Sequence, residues 1–538
     1  MIVGANLITV DTSSSTPAML IKDGRIIGMG PEEELRKLSD DILVVNHAGK
    51  TIIPGVVDSH VHVRELGMDA IKVDLVGVKN VDEIVARIRA QRPDARPGEW
   101  IIGQGWDEGA FADLGGPGSE GMGGYPTTEA LSIAYPDTPI ALEALHGFAA
   151  MANDAALAKA GIVANTPDPE GGTILRREDG QPSGVLLTLA QDLLFRAVPE
   201  PDQAQRETAI VKGLQTLAAA GVTSVHEAGM TARDVEAFRA LAARGELPIR
   251  VFGFLNGNDG ALMAEWFDRG PLNDPQDWLD IGGIKVFYDG SLGSRTALMR
   301  APYSDQPDTA RPTARMLLAG VEELGSKARQ HGFQMAVHAI GDEANDNVLT
   351  SYERRLAADD AGYVPDHRWR IEHAQVVTAD FADRAAALGV IASMQPSHAM
   401  GDSAWAEDRV GPRRIHRAYA WKSFQAAGVP IIFNSDLPGE PWEPMQTLHF
   451  AVTRTKLDGT PIGGWYPGEA LSREASLRAM TLDGARAAFQ EDSLGSLAIG
   501  KWADFVVLSD NPLTAPDIRS IKVEATYVAG QRIAPPAD

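Results

Sequence analysis

Ile52-Ile53-Pro54-Gly55-Val56-Val57-Asp58-Ser59-His60-Val61-His62 is an apolar run that ends in two histidines one residue apart. Side chains two apart on a strand share a face, so both imidazoles can reach one ion if this segment is extended. The apolar approach argues for a buried strand, and a buried strand that ends in metal-type donors places chemistry at its C-terminal end.

Working outward from Val56–His62, seven further short apolar or β-branched runs are closed by turn signals. They are Val222–Glu227, Ile249–Phe254, Gly283–Asp289, Gln334–His338, Trp369–His373, Ile391–Gln395 and Ile431–Asp436. Helical patterns separate most of them, among them Gln205–Ala220, Ala232–Arg244, Val321–His331 and Ala379–Leu388. Strands alternating with crossover helices predict a parallel sheet, and eight such units predict an α/β fold with a closed (β/α)8 barrel of the TIM type. In that fold chemistry collects where strands end, and His60, His62, His226, Lys285, Asp289, His338, His373, Gln395 and Asp436 all fall at such ends. One histidine at a strand end is usually a packing residue, but several converging on one rim are not.

The chain has 538 residues, too many for one core, and contains no cysteine. Disulfides, thiolate ligands and cysteine nucleophiles are thereby excluded, which leaves His, carboxylates and Lys for metal chemistry. A net charge of −24 argues against a grip on nucleic acid. No apolar run reaches the roughly 20 residues of a membrane helix, and the first residues do not read as a secretion signal. We therefore expect a cytoplasmic protein whose partner is a small-molecule substrate, with homodimerisation left open.

Strand patterns at Ala18–Ile21, Arg25–Met29, Asp504–Leu508 and Ala525–Val528 predict a small β-sandwich built from residues 1–55 and 490–538, around a barrel of residues 56–489. Residues 64–200 form an insertion too long for a simple connection, expected to be a lid subdomain. It carries a Gly-rich loop, Gly115 to Gly124, and Trp106 and His146 as groups that could face the barrel mouth. With His226, Gln395 and Arg295 these two are candidate substrate contacts, with ordinary packing the alternative for His146, His226 and Gln395 and a helix-start salt bridge for Arg295.

Lys285 in Gly283-Ile284-Lys285-Val286-Phe287 points inward by strand alternation. A buried ammonium needs relief, either through an ion pair with Asp289 or Asp436 or as a neutral amine able to add carbon dioxide. Asp436 can ligate a divalent ion or accept a proton from a water.

The order HxH, Lys, His, His, Asp on strands one, four, five, six and eight resembles the amidohydrolase superfamily, over nearly the whole chain. The strings PGVVDSHVH, GVTSVHEAG, KVFYDGSLGSRTA, VHAIGDEAN, RIEHAQ and NSDLP are similar to its YtcJ-like branch, which includes N-substituted formamide deformylases. The resemblance implies two divalent ions, zinc or similar. His60, His62 and Asp436 would hold one, His338 and His373 the other, and Lys285, carboxylated, would bridge them. It further implies hydrolysis of an amide-type C–N bond, N-formyl or N-acyl, by a water shared between the ions, with Asp436 as general base and then acid. One feature departs from the branch: the stretch Ser183-Gly184-Val185-Leu186-Leu187-Thr188 lacks the acidic residue usual shortly after it. Rival readings are an esterase or phosphotriesterase using the same site, a non-catalytic metal-binding barrel, and a deaminase. Deaminases of the superfamily usually carry Glu three residues after the fifth-strand histidine, where this chain has Gly341.

Overall fold

The computed structural model describes residues 1–11, 16–39, 41–107, 111, 125–145, 148–169, 171–308, 311–356 and 366–535. His146 and the Gly115 to Gly124 loop lie outside the described residues. The chain divides into two compact units, one of residues 1–67 and 206–538, the other of residues 68–205.

The larger unit contains the expected barrel. Its eight strands are Val56–Val61, Val222–Met230, Arg250–Asn256, Leu279–Phe287, Gln334–Ala339, Arg370–His373, Ile391–Met394 and Ile431–Phe433. They pair in parallel, in chain order, with a helix between most neighbours. Helix ends follow capping chemistry. Thr231 and Asp234 form a reciprocal capping box at the start of Ala232–Arg244, and Gly245 ends that helix in the left-handed region at φ 69°.

Several expected strands stop short, because the functional residue at each end has left the ladder. Strand eight ends at Phe433, and Asp436 takes a left-handed φ of 52°. Strand six, by contrast, ends at His373 as expected, still paired with Ala339, and φ turns to 75° there. That turn explains how His373 reaches the interior although alternation would send it away from the face shared by Arg370 and Glu372. Strands eight and one meet through other contacts: the Asp436 N–H donates to the His60 carbonyl at 2.9 Å and the His62 N–H to the Leu437 carbonyl at 3.2 Å. The Ser435 N–H donates to the Asp58 carboxylate at 3.0 Å. The seam of the barrel thus fixes Asp436 beside the two first-strand histidines.

Both termini contribute to one mixed sheet in the same unit. Phe505–Leu508 lies antiparallel to Thr51–Pro54, which joins the C-terminal strands to the N-terminal ones. The two termini thus share one continuous hydrogen-bonded sheet, where a β-sandwich was expected. Its core includes Ile26, Ile52, Phe505 and Tyr527, the last two stacked at 4.3 Å.

The smaller unit has a six-stranded sheet and its own core, and begins and ends four to five residues later than expected. Helix Val63–Ile71 runs past the expected boundary and shifts it. Among the described residues, no helix is long and apolar enough to cross a membrane.

Candidate metal centre

Four of the expected donors converge on Asp436. Its Oδ1 lies 3.3 Å from His60 Nε2 and 3.3 Å from His62 Nε2. On the other side Oδ2 is 3.9 Å from His373 Nδ1. His338 joins them through its ring, 4.4 Å from that of His373. Lys285 Nζ completes the group at 2.9 Å from His60 Nε2.

A ligating imidazole must be neutral and must turn a lone pair toward the ion, and a hydrogen bond at its far nitrogen secures both. Three of the histidines have one ring nitrogen so bonded; in His373 it is Nδ1, the atom 3.9 Å from Asp436 Oδ2, which leaves Nε2 as the nitrogen free for an ion. His60 donates from Nδ1 to Glu372 at 2.6 Å, His373 donates from Nδ1 to the Gln395 side-chain carbonyl at 2.8 Å, and His338 donates from Nε2 to the Gly290 carbonyl at 3.0 Å. Burial also disfavours the imidazolium. It lowers the pKa of His60, sends His373 well below the ordinary range, and brings His338 down to about 3. Donor chemistry, spacing and protonation therefore fit one or two divalent ions. Among the described residues, donor atoms within 4.8 Å of one another form the sets His60, His62, Asp436 and His373, His398, Asp436, with a third at His62, Glu65, Glu227.

Lys285 is 1% exposed, and burial lowers the pKa of its amine. No carboxylate among the described residues stands within 4.0 Å of it, so the ion-pair alternative with Asp289 or Asp436 does not form. Asp289 is committed elsewhere, accepting from the backbone N–H groups of Leu298, Ile340 and Gly341 at 2.8 to 3.0 Å. It ties the turns after strands four and five together. Burial raises its pKa to about 7.

Of the proposed substrate contacts, Gln395 orients His373 and in turn donates to Asn434 Oδ1 at 2.8 Å. Trp106 is fully buried in the core of the smaller unit, its indole N–H donating to the Leu142 carbonyl at 3.0 Å. It packs there and offers a substrate no surface. His226 is fully buried too, accepting from Arg370 at 2.9 Å against Phe252 and Phe254. Arg295 is taken by Asp305, at 3.2 and 2.7 Å, so the salt-bridge reading holds for it.

Sequence reasoning missed Glu372 and His398. Glu372 carried a signal: alternation puts it on the inward face with Arg370, and a buried carboxylate requires a partner. His398 comes from Pro396–Asp402, a helix that starts directly after Gln395.

Gly341 leaves no room for the deaminase carboxylate, since a Cβ there would stand 2.0 Å from the Leu298 carbonyl oxygen.

The chain is 30% identical to a putative amidohydrolase, YtcJ, of Bacillus subtilis, over 97% of this chain and 96% of that protein. It is also 30% identical to the N-substituted formamide deformylase of Arthrobacter pascens, over 98% and 97%. Among solved structures, an uncharacterized metal-dependent hydrolase from Pyrococcus furiosus superposes with a TM-score of 0.77 at 28% identity, covering 95% of this chain and 99% of that one. With residues 43–534 also matching the family model described as "Amidohydrolase family", the chain belongs to the amidohydrolase family.

Proposed function

We propose that this protein is a metal-dependent hydrolase that cleaves an amide-type C–N bond, N-formyl or N-acyl, in a small molecule. The observation that carries the reading is Asp436, whose two oxygens face His60 and His62 on one side and His373 on the other. His60, His62 and Asp436 would hold one divalent ion, His338 and His373 a second, with Lys285 as a carbamate between them. Ions bound there would lower the pKa of a water toward neutrality and polarise a carbonyl.

The chain's own groups do the rest. Glu372, Gln395 and the Gly290 carbonyl hold three imidazoles in the ligating tautomer. Asp436 takes the proton of the attacking water and returns it to the departing nitrogen, because an amide nitrogen leaves poorly as an anion. The choice of an amide rests on the family and on the similarity to the N-substituted formamide deformylase of Arthrobacter pascens; the donor set serves an ester equally well.

The test is turnover by the metal-reconstituted protein on panels of N-formyl amines, N-acyl amino acids, cyclic amides and esters. Hydrolysis in an amide panel is expected, together with an about thousand-fold loss in Asp436→Asn, the range a general acid–base residue contributes. Turnover of esters alone would replace the proposed bond type, and near-normal turnover in Asp436→Asn would remove Asp436 from the role.

A further inference from the structure

We infer that His398 is an additional metal donor, which joins His373 and Asp436 around the second ion. The inference rests on the metal centre proposed above and goes beyond it, since the donor order read from the sequence ends with six residues and does not contain His398.

The position of His398 is set by the junction after strand seven. Ile391–Met394 passes through Gln395 straight into helix Pro396–Asp402, with Pro396 in the first turn. This one junction reaches His373 from two directions. Gln395 takes its Nδ1–H at 2.8 Å, while the His398 ring lies over the His373 ring at 5.9 Å and 14°. His398 Nε2 then comes to 3.8 Å from Asp436 Oδ2, the oxygen not turned to His60 and His62.

Two donors each bound at about 2.0–2.2 Å to one ion stand about 3–4 Å apart, depending on the angle between them. The 3.3 Å spacings of His60 and His62 from Oδ1 satisfy this, and so does 3.8 Å from Oδ2 to His398. One donor atom from each of His373, His398 and Asp436 lies within 4.8 Å of the other two.

His398 is also uncommitted. Among the described residues it makes no hydrogen bond, whereas His226, the fully buried histidine, is engaged by Arg370. A histidine kept for packing has no reason to aim a free nitrogen at the oxygen of a ligand carboxylate. The two oxygens of Asp436 thus divide the histidines into pairs, His60 with His62 and His373 with His398, and His338 stands beside the second pair.

The test compares the full chain with His398→Phe, which keeps a ring against His373 but removes the donor, and with His398→Glu, which restores a donor. Each is stripped with a chelator and titrated with Co(II), followed by visible absorption, and with Zn(II) against a chromophoric chelator. Loss of a partner of a ligand costs 10- to 100-fold in metal affinity, so loss of the ligand itself is expected to weaken one of two ions by at least about 100-fold in His398→Phe. The cobalt absorption of that ion should change and the other ion should stay tight. Circular dichroism and the melting temperature of the stripped chains should match, and His398→Glu should bind both ions. Two equally tight ions in His398→Phe, with only KM changed, would overturn the inference and make His398 a substrate contact. Failure of the wild-type chain to bind one equivalent would instead defeat the metal-centre reading itself.

Discussion

Glu372 shows how much of the centre depends on residues that never meet an ion. Its carboxylate holds the His60 Nδ1–H at 2.6 Å and is itself buried, so a neutral amide in its place keeps the shape and removes the charge. Glu372→Gln is expected to weaken metal binding about 10- to 100-fold with little change in fold, measured by competition with a chelator. That His60, His62, His338, His373 and Asp436 come together was legible in the sequence because residue type and strand-end position agreed. Their partners were less so. The tautomer of His60 depends on strand six, 312 residues away, and no local pattern shows that a Glu next to a His faces another His. Trp106 was misread for the opposite reason, since its indole N–H is satisfied inside the core by the Leu142 carbonyl, and His226 is buried against Phe252 and Phe254 with Arg370 on its Nδ1. Lys285 was read correctly as buried, but that no ion pair forms with Asp289 was not legible, because it depends on Asp289 being held by the Leu298, Ile340 and Gly341 N–H groups.

At the scale of elements, the eight barrel strands and their helices were legible because period and turn signals agreed over short spans. Strand ends were overrun at Asp289, Gln395 and Asp436, where the backbone turns away to bring a side chain to the rim. The union of the terminal sheet with the barrel was not legible at all. It includes a buried pair in which Arg250, at the start of strand three, meets Asp504 at 2.6 and 3.2 Å, while the same carboxylate accepts the Ala529 N–H at 2.8 Å. Arg250 is fully buried and Asp504 nearly so. Asp504→Ala strands that guanidinium, and a loss of about 3–5 kcal/mol is expected in denaturant unfolding. Removing both charges together, as in Arg250→Met with Asp504→Leu, should cost less than Asp504→Ala alone.

For the whole molecule, a buried carboxyl makes stability depend on pH. Burial raises the pKa of Asp280 to about 6, although the Asp274 N–H and Gln490 Nε2 donate to it. Its folded pKa lies above its unfolded value near 3.8, so the protonated form favours the folded chain. That contribution is complete below about pH 4 and is lost as pH rises through about 6, at most about 3 kcal/mol for two pKa units. Asp280→Asn should flatten the stability profile over that window, as read from denaturant midpoints at several pH values, and an unchanged slope would contradict the assignment. Fold class follows from the order of elements along the chain and was legible. The insertion's boundary was not, because a helix runs through it. The central claim, a two-ion hydrolytic centre on the barrel rim, is tested most directly by counting divalent ions per chain on the purified, metal-reconstituted protein while following hydrolysis through chelation and re-addition. Two ions, activity lost with them and restored by their return, is the predicted result; less than one tightly bound ion per chain would contradict the account.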